Sequence, residues 1–490
     1  MAECSYSQII EAKDGNLLPL CRSSATGVEI SLHSKYNPLR EADGFAAQTD
    51  PDCLFFVVIG LAGGYHIEKL LERCPRAKIL AVESTKSDID FLSGIPCVKK
   101  LLSDRRVIVS DIDSLESSIL ASYKPALHGN LTILSLRQWE STFSENAAIC
   151  REKITATIKL LAADFSVQSH FGKIWQKNIL TNLSLSEKTL DFQEIKNQID
   201  TNGKIAAIIA AGPSLDESLK KLALQREKYY IIATDTAFSA LTKQGIESDA
   251  VVSIDGQQVS HEHYMENLPE KTLFVFDLCA SPSSARKVLT FSRKIVFSES
   301  GHPLAQYASL FSGKRNFVHL EAGSGTVTIA ATSLAKKLGF KEIEFFGADF
   351  SYIGGKPYSR GTYLESKSHS QSNRFSSAEK FYTAIMYRAP TKKISDEKIT
   401  TEILEAYKNS LKDFMEQKND EKEELLETGR FSLKEFKSRY CKDLKAAFRS
   451  ETDFDENSNA VMTLLPLCAK LGKGSAFLAY LKTLSYTERV

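Results

Sequence analysis

No CxxC pair, no regular cysteine spacing and no GKS/T phosphate loop occur in this 490-residue chain. Its nine cysteines (Cys4, Cys21, Cys53, Cys74, Cys97, Cys150, Cys279, Cys441 and Cys468) are scattered. That pattern suggests neither a zinc site nor a disulfide framework, and fits reduced, partly buried thiols. No stretch approaches the roughly 18 apolar residues of a membrane span. The start, MAECSYSQIIEAKDG, lacks the basic and apolar regions of a signal peptide, so a cytoplasmic protein is expected. Neither basic nor acidic residues are in excess. The 62 basic and 61 acidic residues leave a net charge of +1, whereas a nucleic-acid partner usually calls for a basic excess. No internal repeat or long low-complexity segment breaks the chain.

The 43% hydrophobic and 25% charged composition is ordinary for a globular protein. The length exceeds what one core usually supports, so two or three domains are expected. Residues 54–64, LFFVVIGLAGG, read as a buried strand entering a glycine turn. A helix from Tyr65 and the strand AKILAVES follow, with Glu83 near its end. This is the opening of a doubly wound α/β unit, continued by RVIVS (106–110) and LTILS (131–135). Gly60, Gly63, Gly64 and Glu83 either hold a nucleotide or S-adenosylmethionine or serve helix–strand packing alone. Residues 151–195 carry a helical repeat and read as a linker, its Trp175, Asn178 and Asn182 packing on the next domain. From 196 to 390 strands and helices alternate again, giving a second doubly wound domain. After Pro390, Ile399, Ile403, Leu404, Tyr407, Leu411, Phe414 and Met415 form an apolar stripe at helical spacing, either a packed core face or a partner groove. The expectation is thus α/β: a Rossmann-like domain over 1–150, the linker, a second doubly wound domain over 196–390 and a helical C-terminal domain over 391–490.

The chemistry concentrates in the second α/β domain. In IIAAGPSLDESL (208–219), Gly212-Pro213-Ser214 turn a buried strand into a helix. Ser214 is expected to cap that helix, with Glu217 completing a capping box, and the helix N-terminus suits a phosphate. Asp235 and Asp255 end strands, where ligands of open α/β sheets collect; they bind ribose or cytosine, hold a metal, or cap helices. Gly323-Ser324-Gly325-Thr326 form a small-residue loop whose hydroxyls suit phosphate oxygens. The strand EIEFFG ends at Gly347-Ala348-Asp349. Beyond it lie Tyr352, Tyr358, Tyr363 and His369 in what reads as a polar loop. Tyrosine hydroxyls can donate to a leaving phosphate, and a histidine can accept a proton.

Together AAGPSLDESL, TDTAFSAL…SDAVVSID and AGSGTV…FGADFSY resemble the motility-associated factor (Maf) flagellin glycosyltransferases, over most of the chain. The central domain is also similar to bacterial CMP-sialic acid transferases. The resemblance implies transfer of a nonulosonic acid, such as pseudaminic or legionaminic acid, from a CMP donor to Ser or Thr of flagellin. No further cofactor is implied. Gly212, Pro213, Ser214, Asp235, Asp255 and Asp349 would then hold the nucleotide. Gly323, Ser324, Gly325 and Thr326 would lie at the phosphate. Tyr352 and Tyr358, six residues apart, would steady the leaving group, and His369 best matches the general base. Ala211 departs from the Asn that precedes Gly-Pro-Ser in the sialyltransferases. The broad family also includes a pterin pyrophosphokinase, in which Asp235, Asp255 and Asp349 would serve ATP and magnesium. A flagellin-binding scaffold without catalysis is the non-enzymatic alternative.

Overall fold

The computed structural model describes residues 4–22, 28–265, 268–292, 294–323, 325–417 and 427–490. The chain divides into two compact units: Met1–Gly172 with Leu465–Ala476, and Lys173–Leu464 with Phe477–Val490.

In the first unit β1 (Tyr6–Glu11), β2 (Leu17–Arg22) and β3 (Glu29–Ser31) form an antiparallel meander. The strands β4 (Phe55–Ile59), β5 (Lys78–Glu83), β6 (Val107–Asp111) and β7 (Thr132–Ser135) form a parallel sheet in the order β6-β5-β4-β7. Every residue of β4 is buried, as expected of a strand covered on both faces. The helix Ser144–Ser186 begins in this unit and ends in the other.

The second unit is built on seven strands: β8 (Ile205–Ile209), β9 (Tyr229–Thr234), β10 (Ala250–Ser253), β11 (Leu273–Asp277), β12 (Ile295–Glu299), β13 (Val318–His319) and β14 (Ile343–Phe346). All neighbours pair in parallel, in the order β13-β12-β11-β10-β9-β8-β14. The chain starts at β8, steps outward to β13, and returns on the other side of β8 as β14. The helix Val327–Leu338 makes that return, packing on β8, β9 and β10. Ala330, Leu334 and Leu338 meet Ile208, Ile232 and Val252 in the core. Strand order reverses between β8 and β14, which opens a crevice at their carboxyl ends.

The α/β class with two doubly wound sheets is therefore as read from the sequence, and the C-terminal region is helical. Three local readings need correction. Residues 391–401 are not helical: β15 (Tyr352–Ile353), β16 (Thr391–Ser395) and β17 (Lys398–Thr401) form an antiparallel sheet in the order β15-β17-β16. Ile399 thus faces Tyr352 across a ladder, and the stripe's helix is confined to Glu402–Glu416. His369 sits in the helix Tyr363–Ser370 rather than in a loop. The third correction concerns the Ser214 cap, taken up below.

Asn178 and Asn182 do the packing expected of them. Asn178 donates to the carbonyls of Gly256 and Cys279 at 2.9 and 3.0 Å, and Asn182 to those of Leu278 and Ala280 at 2.9 and 2.8 Å. They satisfy buried loop carbonyls that would otherwise lack partners.

Candidate functional site

A cleft of about 200 Å³ opens at the carboxyl ends of β8, β9 and β14, where the strand order reverses. Its floor is a crossing of two backbones. The Gly212 amide donates to the Gly347 carbonyl at 2.8 Å. A Cβ on Gly212 would lie 2.4 Å from that oxygen, and one on Gly347 2.2 Å from the Ala210 carbonyl. Gly347 also has φ of 65°, which a side chain would strain. Both positions exclude any other residue.

Asp349 locks the crossing. Its carboxylate accepts from the Ser214 amide at 2.9 Å and from the Ser214 hydroxyl. Ser214 therefore does not cap the helix Leu215–Leu224, and no capping box with Glu217 forms. The Ser214 hydroxyl donates to Asp349 instead, and Ser214 takes a helical φ of −65° and ψ of −13° rather than the extended backbone of a capping residue. Gly212, Pro213 and Ser214 form the turn before that helix, and Gly212 and Asp349 line the cleft. Phe350, also lining it, has φ of 46°, a conformation costing on the order of 1–3 kcal/mol that tends to persist at functional sites.

Two helices start at the cleft. Thr234 caps the helix Asp235–Lys243, and both Thr234 and Thr236 line the opening. Thr326 caps the helix Val327–Leu338, whose first residues, Val327 and Thr328, line it too. The partial positive charge of each helix start faces a space lined by threonine hydroxyls, an arrangement that suits an anion.

Asp235 lies beneath the cleft. It is buried, one oxygen accepting from the Thr236 amide at 2.7 Å and the other from the Ser253 hydroxyl at 2.7 Å. Asp255 follows β10 and accepts from the Gln257 amide at 2.9 Å; burial pushes its carboxyl above the usual range. Neither lines the cleft. Asp235, Asp255 and Asp349 do not converge, and among the described residues no three His, Cys, Asp or Glu side chains are grouped to hold a metal. Gly323 has φ of 52°, and Gly325 turns back to Ala322 at 2.9 Å. This loop precedes the cleft-lining residues Val327 and Thr328. Ser324 lies outside the described residues.

Tyr352 and Tyr358 both line the cleft, and the Ser359 amide pins the second to the Ala211 carbonyl at 2.9 Å. Neither tyrosine hydroxyl has a hydrogen-bond partner among the described residues. Burial raises both hydroxyls above the ordinary value, with the positive charge of Arg388 acting in the opposite direction. At neutral pH both are donors. His369 is exposed and outside the cleft lining, its Nε2 3.0 Å from Glu365 and 3.1 Å from the Tyr382 hydroxyl. Glu365, Tyr382 and Tyr358 line a small void together, and His369 is not among the residues lining it.

Leu404 and Tyr407, part of the apolar stripe in the sequence, also line the cleft. Thr234, Thr236 and Thr328 carry no motif of their own beside their more conspicuous neighbours. The nearest sequence signal was their place at strand ends and helix starts.

The glycine turn of the first unit is filled by the chain itself. A Cβ on Gly60 would meet Trp139 at 2.8 Å. The Gly63 amide, placed where a phosphate would be bound, donates to His33 Nε2 at 3.1 Å. Glu83 is fully buried and accepts from Trp139 Nε1 at 2.7 Å and the Tyr6 hydroxyl at 3.0 Å. The Gly63 amide and the Glu83 carboxylate thus have protein partners.

These features define an α/β protein with an anion-suited cleft at the switch point of its larger sheet. A family model, "6-hydroxymethylpterin diphosphokinase MptE-like", matches residues 177–355. Two proteins of Treponema pallidum (strain Nichols), both described as uncharacterized, are 38% identical over 151 residues and 36% identical over 154 residues. These matches cover 30% and 31% of this chain, and 53% and 71% of the relatives. The chain belongs to the same family as the second. A solved structure titled "Structure of MAf glycosyltransferase from Magnetospirillum magneticum AMB-1" aligns with 100% of this chain and 90% of that one, at 14% identity and a TM-score of 0.49. No helix among the described residues is long and apolar enough to cross a membrane.

Proposed function

We propose that the chain is a cytoplasmic glycosyltransferase that moves a nonulosonic acid from CMP to a Ser or Thr hydroxyl of flagellin. The observation that carries this reading is the pair of tyrosine hydroxyls, Tyr352 and Tyr358, without a hydrogen-bond partner among the described residues, in a cleft with two helix starts. The motifs quoted above supply the donor class and the acceptor. In the proposed step the acceptor oxygen bonds to the anomeric carbon while the carbon–oxygen bond to the phosphate breaks. The electron pair leaves with CMP, and Tyr352 and Tyr358 donate to the phosphate oxygens as charge develops. The acceptor proton leaves to a base, for which the resemblance offers His369; its Nε2 is held by Glu365 and Tyr382 outside the cleft lining. Gly212, Ser214 and Asp349 would shape the nucleotide's seat, and Thr234, Thr236 and Thr328 would meet its polar groups.

The test is CMP release by the purified protein, given CMP-pseudaminic or CMP-legionaminic acid with and without flagellin. Release that depends on flagellin, with a matching mass increase on it, supports the reading. A folded protein that releases no CMP from any donor overturns it.

The match to the diphosphokinase model favours a second reading, transfer of pyrophosphate from ATP with magnesium. Among the described residues Asp235, Asp255 and Asp349 are not grouped to hold a metal together, which weighs against one held by those three. A scaffold is distinguished by thermal stability, since a ligand at 100 times its dissociation constant adds about 2.7 kcal/mol to an enzyme that binds it.

A further inference from the structure

The lining of the cleft divides by chemistry. Threonine and tyrosine hydroxyls and two helix starts suit an anion. The side chains of Val327, Leu404 and Tyr407 add hydrocarbon and an aromatic ring to the same space. Hydrocarbon gives a phosphate nothing in exchange for its hydration. A ligand that uses the whole cleft therefore carries a flat, weakly polar part beside its anion.

Tyr407 is held in place for such a part. Leu404 and Tyr407, three residues apart, share a face of the helix Glu402–Glu416. The Thr401 hydroxyl caps that helix, accepting from the Leu404 amide at 3.3 Å. Thr401 also ends β17, which pairs with β15 at Tyr352, so one short sheet ties the helix to the cleft. Farther along, the Lys336 ammonium donates to the Phe414 carbonyl at 3.0 Å and stands 4.1 Å from the centre of the Phe414 ring. Tyr407 itself is half-buried. Among the described residues its ring has no aromatic or cationic partner and its hydroxyl no hydrogen bond.

We propose that Tyr407 is the platform on which the base of the nucleotide stacks, with Leu404 and Val327 completing an apolar seat. Every base has a π face, so the seat does not depend on which nucleotide is bound; that the base is cytosine rests on the transferase reading. Stacking uses the ring and not the hydroxyl. Phenylalanine should therefore serve in place of Tyr407, and alanine should not.

The experiment is calorimetric titration of wild type, Tyr407→Phe and Tyr407→Ala with CMP, ribose 5-phosphate and ATP–magnesium, with melting temperature as the folding control. The expected result is CMP affinity within about twofold of wild type for Tyr407→Phe and roughly tenfold weaker for Tyr407→Ala. Ribose 5-phosphate, which has no base, should bind all three proteins alike; where it binds too weakly to titrate, the contrast between phenylalanine and alanine decides. Should alanine lower the melting temperature, Tyr407→Leu, which keeps apolar bulk without a ring, takes its place with the same expected loss. Wild-type affinity of the ringless variant for whichever nucleotide binds overturns the inference. So does equal weakening in Tyr407→Phe, or a loss toward ribose 5-phosphate as large as that toward CMP. None of these three results touches the transferase reading. If wild type binds ATP–magnesium and not CMP, and the ringless variant binds it more weakly, the transferase reading falls and the base seat stands. Binding of none of the three by wild type overturns both.

Discussion

Gly347 has no room for a methyl group, and its conformation would strain one, so Gly347→Ala tests the backbone crossing directly. The variant should lose more than about 1 kcal/mol of stability together with the thermal shift produced by CMP. Urea melts with and without nucleotide measure both. Tyr352→Phe and Tyr358→Phe remove one hydroxyl each with little loss of packing. Each should slow CMP release about tenfold or more while leaving the melting temperature near wild type. His369→Gln should cost less than Tyr358→Phe in the same assay, because His369 lies outside the cleft lining. A different histidine controls pH behaviour. His319 lies 2.8 Å from Glu299 and 3.1 Å from Glu321, and its pKa is pushed up to about 9, the hydrogen bond with Glu299 being the first cause. An unfolded histidine titrates near 6.5, so the folded state binds the extra proton between those values. The stabilisation is whole below about pH 6.5 and is lost as pH rises through 9. The urea midpoint of wild type should fall from pH 7 to 9.5, and His319→Ala should flatten that fall.

At the level of elements, the helix Glu402–Glu416 is the least expected part of the site. Its Leu404 and Tyr407 line the cleft, and Ser410 stands 2.6 Å from where a Gly323 Cβ would be. Tyr407→Ala should weaken CMP binding roughly tenfold, about 1.4 kcal/mol, measured by calorimetry; unchanged affinity would remove this helix from the site. The main β-strands of both parallel sheets, with the glycine turns, were legible because buried parallel strands read as unbroken apolar runs. Gly212, Asp349, Tyr352 and Tyr358 were legible because they follow such strands. Other features depend on pairings distant in sequence. Periodicity alone could not tell that Ile399 pairs with Tyr352 in a strand, nor that Asp349, 135 residues away, would take Ser214 from its helix. The two-residue strand β13 and the meander β1–β3 are too short or too weakly patterned to announce themselves.

On the scale of the whole molecule, the two glycine turns have opposite fates. The one in the second unit stays open, while the one in the first is closed by His33, Trp139 and Tyr6 around Glu83. Trp139→Ala should therefore destabilise the protein by about 3–5 kcal/mol and leave its response to CMP intact, as paired thermal melts would show. The first unit also draws on Leu465–Ala476, which lie almost three hundred residues after its main segment ends. Within it the backbone at Gly172 leaves no room for a side chain against Pro466, and the Lys473 amine reaches the Asp52 carbonyl at 3.4 Å. During synthesis the ribosome must deliver almost three hundred further residues before this unit can close. Until then its β-sheet waits as an unfinished nascent structure, and that interval is when a chaperone would have most to do.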